Sequence, residues 1–186
     1  RKLLDFGAGL PAYRRMREQW PLFESSVFDG PVQARAVDGH DELNQLFRFQ
    51  IHLRRPGTVT GHEEAAELLD TAASLRFEED GLVLQHIHGL VSAVTVESDV
   101  EADTTDLFIE LVPRLWQLTQ RRGSELFLDL NVPQVVTEKL KAIGLVPDVD
   151  FALALRESYP AREIIAQYEE TDHAFVSRLC EQHGIV

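Results

Sequence analysis

Residues 46–53 read Leu-Phe-Arg-Phe-Gln-Ile-His-Leu. Phe47, Phe49, Ile51 and Leu53 fall on one side of an extended chain; Arg48, Gln50 and His52 fall on the other. A period of two scatters apolar side chains around a helix but lines them up along a strand, so this stretch is a strand with one dry face. Such a strand needs partners and a covering layer. "VQARAVDG" (32–39) alternates more weakly, while "ASLRF", "GLVLQHIHGLVSAVTVE" and "TDLFIELV" read as short strands separated by acidic or glycine-containing turns. That spacing predicts a small antiparallel barrel or sandwich. Within it, 54–62 ("RRPGTVTGH") reads as a loop. "EEAAELLDTA" reads as a short helix with acids in its first turn, where the helix dipole favours them.

The pattern changes after Pro113. "PRLWQLTQRRG" reads as a helical turn and "ELFLDLNV" as extended. "PQVVTEKLKAIG" is a helix with Pro133 in its first turn and Gly144 just past its end. A Pro147–Asp148 loop leads to a predicted strand, "DFALAL" (150–155). "REIIAQYEE" is a second strand, and a final helix starts near Thr171. The fold class is therefore α+β, mainly β: an antiparallel β-barrel followed by a mixed α/β segment.

The chain has 186 residues and is 44% hydrophobic, enough for a sizeable core. No run approaches 18 apolar residues and no charged-then-apolar leader opens it, so neither a membrane span nor a signal peptide is expected. The single cysteine, Cys180, excludes an internal disulfide and fits a reducing compartment or indifference to redox state. A net charge of −13 argues against nucleic acid as a partner, because phosphate binding needs clustered Lys and Arg. The charge is uneven. Residues 1–20 carry Arg1, Lys2, Arg14, Arg15 and Arg17 against Asp5 and Glu18, a net of +3, which leaves −16 for the other 166.

Three clusters invite a chemical reading. Asp172, His173, Cys180 and His183 lie close together near the end, as an acid, bases and a nucleophile would. Yet Thr171 is a good N-cap, Asp172 suits the first helical turn, and Phe175, Val176, Leu179 and Cys180 make one apolar stripe. Burial in that stripe keeps a thiol protonated, and no glycine-rich turn supplies an oxyanion hole. "HEEAAE" (62–67) begins like a zinc-protease helix, but Ala66 stands where the second histidine belongs. His86 and His88 share a strand face, with no third ligand apparent. No catalytic, cofactor-binding or metal-ligating residue is expected.

Three stretches resemble the VgrG family. "LFRFQIHL", with "ELLDTAASLRF" and "HIHGLVSAV", is similar to its opening barrel. "LFIELVPRLWQLTQRRGSELFLDLNVPQVV" is similar to its strand, proline–tryptophan turn, Arg-rich stretch, phenylalanine strand and proline-started helix. "REIIAQYEETDHAFVSRLCEQHGI" resembles the family's motif most closely, at Arg162, Glu163, Gln167, Tyr168, Glu170, Asp172, Phe175, Arg178, Leu179, Glu181, Gly184 and Ile185. The resemblance covers roughly residues 23–186. Two positions depart: the family usually has glycine where Asp70 stands, and another apolar residue where Cys180 stands.

The resemblance implies the trimeric tip of type VI secretion machines, a phage tail-hub-like structural protein. It implies a first hub β-barrel at 23–112 and a mixed α/β hub segment at 113–186, with neck and needle lying beyond. Residues 1–22 form a basic arm of unknown role. The implied partners are two further copies in a homotrimer, the secretion tube protein, baseplate components, and effectors or adaptors. Assembly in the bacterial cytoplasm and then secretion are implied. The rival readings are a non-catalytic adaptor or effector-binding module on the same fold, and a hydrolase using Cys180 with His183 or His173. Within the motif, Phe175 and Leu179 are expected to anchor the last helix. Arg178 is expected to pair with a carboxylate on another element, such as Glu163 or Glu169, or with one on a neighbouring subunit.

Overall fold

The computed structural model describes residues 21–79 and 81–185. Of the expected basic arm, residues 1–22, the first 20 lie outside them, and Leu22 already belongs to the first strand. The chain divides into two compact units, meeting between Arg114 and Leu115.

The first unit is a seven-stranded sheet. Its strands are β1 (Leu22–Ser25), β2 (Val32–Gln33), β3 (Ala36–His40), β4 (Arg48–Pro56), β5 (Ala72–Glu79), β6 (Leu82–Asp99) and β7 (Thr104–Val112). Their order is β2-β1-β5-β6-β7-β4-β3, with every pair antiparallel. The sheet curls into a half-barrel. The alternation of β4 does what its period dictates: Phe49, Ile51 and Leu53 are at most 2% exposed. They pack with Phe23, Leu75, Leu107 and Ile109 into one core, joined by Ala65 and Leu68 of helix α1 (Thr58–Leu68). The outward residues of β4 meet acids of β7 directly across the ladder. Gln50 donates to Glu110 at 2.8 Å, and Arg54 donates to both oxygens of Asp106 at 2.8 and 2.6 Å. His52 Nε2 lies 2.8 Å from Asp106 Oδ1, and its ring stacks on Phe108 at 4.7 Å.

Residues 54–62 are not a loop. β4 runs through Pro56, Gly57 turns the chain at φ +82, and α1 begins at Thr58. The cap that starts this helix comes from 45 residues away: Asp103 accepts the Thr58 N–H at 3.0 Å through Oδ1 and the Gly57 N–H at 2.7 Å through its carbonyl. The first turn consequently holds no acid. Gly61 is a close-approach position, because a Cβ there would sit 2.4 Å from the Thr105 side chain.

β6 is also a correction. The stretch at 81–97, expected as one of several short strands, is a strand of 18 residues. Its first half pairs with β5 and its second with β7, and the handover falls at Leu90. Gly89 lies within the strand. A Cβ there would lie 2.4 Å from the Val112 carbonyl oxygen, so only glycine lets the strands approach. Asp70 sits at φ +61, a left-handed conformation that aspartate tolerates better than most residues and glycine adopts freely.

The second unit starts with a 3-10 helix (Arg114–Gln120) and continues as β8 (Arg122–Leu130), α2 (Val132–Ala142), β9 (Arg162–Thr171) and α3 (Asp172–Gln182). β8 and β9 pair antiparallel, with Phe127 opposite Ile165. Both point into a core with Val132, Val135, Val136, Leu140, Phe175 and Leu179 from the two helices. α2 opens on a reciprocal capping box between Asn131 and Gln134, and Gly144 beyond it has φ +78. Thr171 caps α3 by accepting the Ala174 N–H at 3.1 Å. "DFALAL" forms no strand. A single bridge joins Phe151 to Pro147, and residues 152–154 are exposed with no strand beside them. Apolar alternation alone does not make a strand where nothing pairs with it. The other face of the β8–β9 ribbon is bare and apolar, with Leu126, Leu128, Ile164 and Tyr168 55–75% exposed.

Candidate functional site

The densest constellation of polar groups lies inside the second unit, under the family-like motif. Asp172, 4% exposed, opens α3, and its backbone N–H donates to the Arg121 carbonyl at 2.9 Å. Asp172 Oδ1 accepts from Lys139 Nζ at 2.8 Å and from Gln167 Nε2 at 3.0 Å. Arg121 Nε lies 3.7 Å from the other oxygen. Lys139 Nζ donates also to Glu125 at 2.8 Å. The ammonium sits 5.4 Å and 5.8 Å from the ring centres of Phe127 and Phe175, which stack at 5.6 Å. One cation thus ties together β8, α2 and α3, and Gln167 adds β9.

Burial pushes the Asp172 carboxyl up, but the hydrogen bonds from Lys139 and Gln167 and the charges of Lys139 and Arg121 outweigh it and hold it below the usual carboxylate range. Burial pushes Lys139 down, and its bonds to Asp172 and Glu125 win there too, raising it above the ordinary lysine value. Both groups are therefore charged at neutral pH. A charged pair held this tightly is a poor proton shuttle and a strong structural tie.

The acid–base–nucleophile reading of Asp172, His173, Cys180 and His183 dissolves in this geometry. Asp172 is occupied by Lys139 and Gln167 and orients no histidine. Burial lowers His173 from its usual range, favouring its neutral form. Arg162 Nη2 donates to His183 Nε2 at 2.8 Å, so that nitrogen accepts. His183 Nδ1 then carries the hydrogen and donates to the Leu179 carbonyl at 2.8 Å. With both nitrogens engaged, His183 has no lone pair to offer a thiol. Cys180 is half-buried against the apolar core, which raises its pKa and keeps it a thiol.

The other sequence candidates are equally occupied. His62 Nε2 lies 3.0 Å from Ser98 Oγ. His86 and His88 do share a face, with ring centres 4.0 Å apart, and His86 meets Ser74 Oγ at 2.9 Å. Among the described residues no group of three or more His, Cys, Asp or Glu is arranged to hold a metal ion.

Phe175 and Leu179 are 0% and 2% exposed. Arg178 pairs with Glu170, not with Glu163 or Glu169. Its Nη2 donates to Oε1 at 2.5 Å and its Nε to Oε2 at 3.3 Å, a two-pronged pair. The Arg178 hydrogen bond holds Glu170 below its ordinary pKa. Glu169 takes φ +45 in a bulge where Tyr168 and Glu169 of β9 stand against Ser124 of β8, which breaks the in–out alternation and presents Glu170 instead. Sequence reasoning missed Lys139 altogether, although a signal was there. It stands at the fourth position of an apolar stripe, Val132, Val135, Val136, Lys139, Leu140. A lysine in such a place calls for a buried carboxylate.

The sequence matches the phage tail baseplate hub (GPD) family over residues 40–186. Type VI secretion system spike protein VgrG4b of Pseudomonas aeruginosa is 33% identical over 156 residues, which is 83% of this chain and 18% of that protein. Type VI secretion system spike protein VgrG3 of Vibrio cholerae is 28% identical over 179 residues, 91% of this chain and 17% of that protein. The chain therefore spans less than a fifth of the length of these relatives. Among solved structures, a type VI secretion component of E. coli, itself similar to the T4 bacteriophage tail proteins gp27 and gp5, matches with a TM-score of 0.70 and 26% identity. The match covers 85% of this chain and 42% of that one.

Proposed function

The chain belongs to the phage tail baseplate hub family, and from that premise we propose that it forms the front part of the hub of a type VI secretion spike, as a structural part and not an enzyme. The observation that carries this reading is the likeness to the E. coli secretion component, which extends over 85% of the chain. The geometry of the motif supports it. Its chemically suggestive residues are spent on holding β8, α2, β9 and α3 together, as a part that bears load and turns over no substrate requires.

In this reading residues 23–112 are the first hub barrel and 113–186 the mixed segment. The protein is a homotrimer through this region and joins the secretion tube protein, baseplate components, and effectors or adaptors. It is assembled in the bacterial cytoplasm and then secreted, outside the cell or into a target cell. The bare apolar face of β8–β9 fits a part built to be covered by neighbours. The test is a secretion assay in bacteria that depend on the full protein. Cys180→Ala is expected to leave export of the tube protein unchanged, and loss of export from a stably folded variant would mean that the thiol does chemistry. Light scattering of the full-length protein is expected to give a trimer; a stable monomer contradicts the hub reading.

A further inference from the structure

We propose that the outward face of the β8–β9 ribbon is the contact between copies in the homotrimer, a reading that rests on the hub assignment above, and that Arg162 of each copy pairs there with the partner's Asp129. The ladder sets Leu126 opposite Ala166 and Leu128 opposite Ile164, and Tyr168 lies two positions beyond Ala166, on the same side of the strand. All five are exposed and none carries a charge. Phe127, Ile165 and Gln167 alternate with them, point the other way and are at most 5% exposed. The ribbon is thus apolar on both faces, and α2 and α3 cover only one of them. An antiparallel sheet that meets water on one side carries polar residues there. The first unit follows that rule, with Arg48, Gln50 and Arg54 facing out from β4. The ribbon breaks it, and a bare apolar sheet face marks a contact.

Charge selects what covers it. The chain carries 31 Asp and Glu against 18 Lys and Arg, so copies repel one another wherever carboxylates come close. The five outward positions hold no carboxylate. At one end of the ribbon, where Leu130 stands opposite Arg162, two groups of opposite sign lie without a counter-charge. Arg162 donates to His183 and, among the described residues, to no carboxylate. Asp129, turned out of the regular strand at φ +53, has no cation among them. The two are near neighbours along the ribbon and do not pair within one chain. In a ring of copies about a three-fold axis each Arg162 can meet the partner's Asp129, so the patch is its own complement and the ring closes. A purely acidic or purely basic partner would satisfy only one of the two.

Photo-crosslinking in the full-length protein reads the contact, with benzoyl-phenylalanine placed at position 168, where Tyr168 is 75% exposed. The expected product is a two-chain adduct whose cross-link maps to Leu126, Leu128 or Ile164 of the second copy. Asp129→Arg is expected to lower its yield at least about tenfold, since like charges brought together at a contact oppose it. Asp129→Arg with Arg162→Asp is expected to restore the yield, because the reversed charges still complement each other. An unchanged melting temperature verifies that each variant is folded. A yield that ignores both charge variants overturns the pairing of Arg162 with Asp129. A product confined to one chain, an adduct with a different protein, or a trimer by light scattering that gives no adduct overturns the contact and leaves the hub assignment standing. A monomer by light scattering overturns both.

Discussion

The two units handle charge in opposite ways. In the first, the core is almost wholly apolar, and the charges of β4 and β7 stand on the outer face as a cross-strand ladder of Arg48 and Arg54 against Glu110 and Asp106. In the second, an ammonium and a carboxylate, Lys139 and Asp172, lie inside, each under 8% exposed. The first arrangement costs little if it fails, because water substitutes for a lost partner. The second fixes the relative positions of two helices and two strands through one point, and a lost partner there leaves a stranded charge. A large curled sheet specifies itself through many pairings. A two-stranded ribbon with two helices has few, and a buried ion pair makes its packing unique.

The strongest way to break this contrast is Lys139→Ala. It leaves Asp172 and Glu125 without their cation, and the second unit is expected to lose about 3–5 kcal/mol in denaturant unfolding, as removal of one partner of a buried pair usually costs. A loss below about 1 kcal/mol would place the pair with the surface ladder and erase the distinction. Gly61→Ala tests the first unit through its packing. The new methyl group runs into Thr105, and an overpacked core typically costs about 1–3 kcal/mol. A neutral or stabilising result would show that α1 rides freely on the sheet. Acid titration gives the smallest effect. Asp106, held by Arg54 and then His52 against the opposing pull of partial burial, has its pKa lowered to about 2. A folded-state pKa below the unfolded value stabilises the fold above the unfolded pKa, near 4 by ordinary aspartate behaviour, and the contribution fades as pH falls through 2. Arg54→Ala is expected to flatten the stability of the first unit between about pH 4 and pH 2, the interval those two pKa values bound. An unchanged pH profile would mean that Asp106 gains nothing from the ladder.

What the sequence disclosed follows the range of the forces involved. The alternation of β4, the Pro133 start and Gly144 end of α2 and the Thr171 cap of α3 are written within a few residues, and each was legible. The start of α1 was not, because its cap belongs to Asp103 across the sheet. The reason for the glycine at Gly89 was not legible either, because the Val112 carbonyl is 23 residues further along the chain. "DFALAL" had the pattern of a strand and no neighbour to pair with. The family-like motif pointed to the right helix and to the right class of partner for Arg178. The backbone kink at Glu169 decided which glutamate it would be.

The unbroken length of β6 has a consequence for the order in which the first unit assembles. Its pairings with β5 and β7 close across short connections, whereas β4 must find β7 across about 60 residues, Phe49 meeting Leu111, and β1 must find β5 across about 50, Phe23 meeting Leu75. Closing a long loop costs entropy before any contact rewards it, so near-neighbour pairings form first. Folding is expected to begin as a three-stranded meander strung along β6, onto which β4 with β3, and β1 with β2, are later added from either side. Pulsed hydrogen exchange would see the amides of β6 protected ahead of those of β3 and β1; simultaneous protection of all seven strands would mean that the sheet has no such spine.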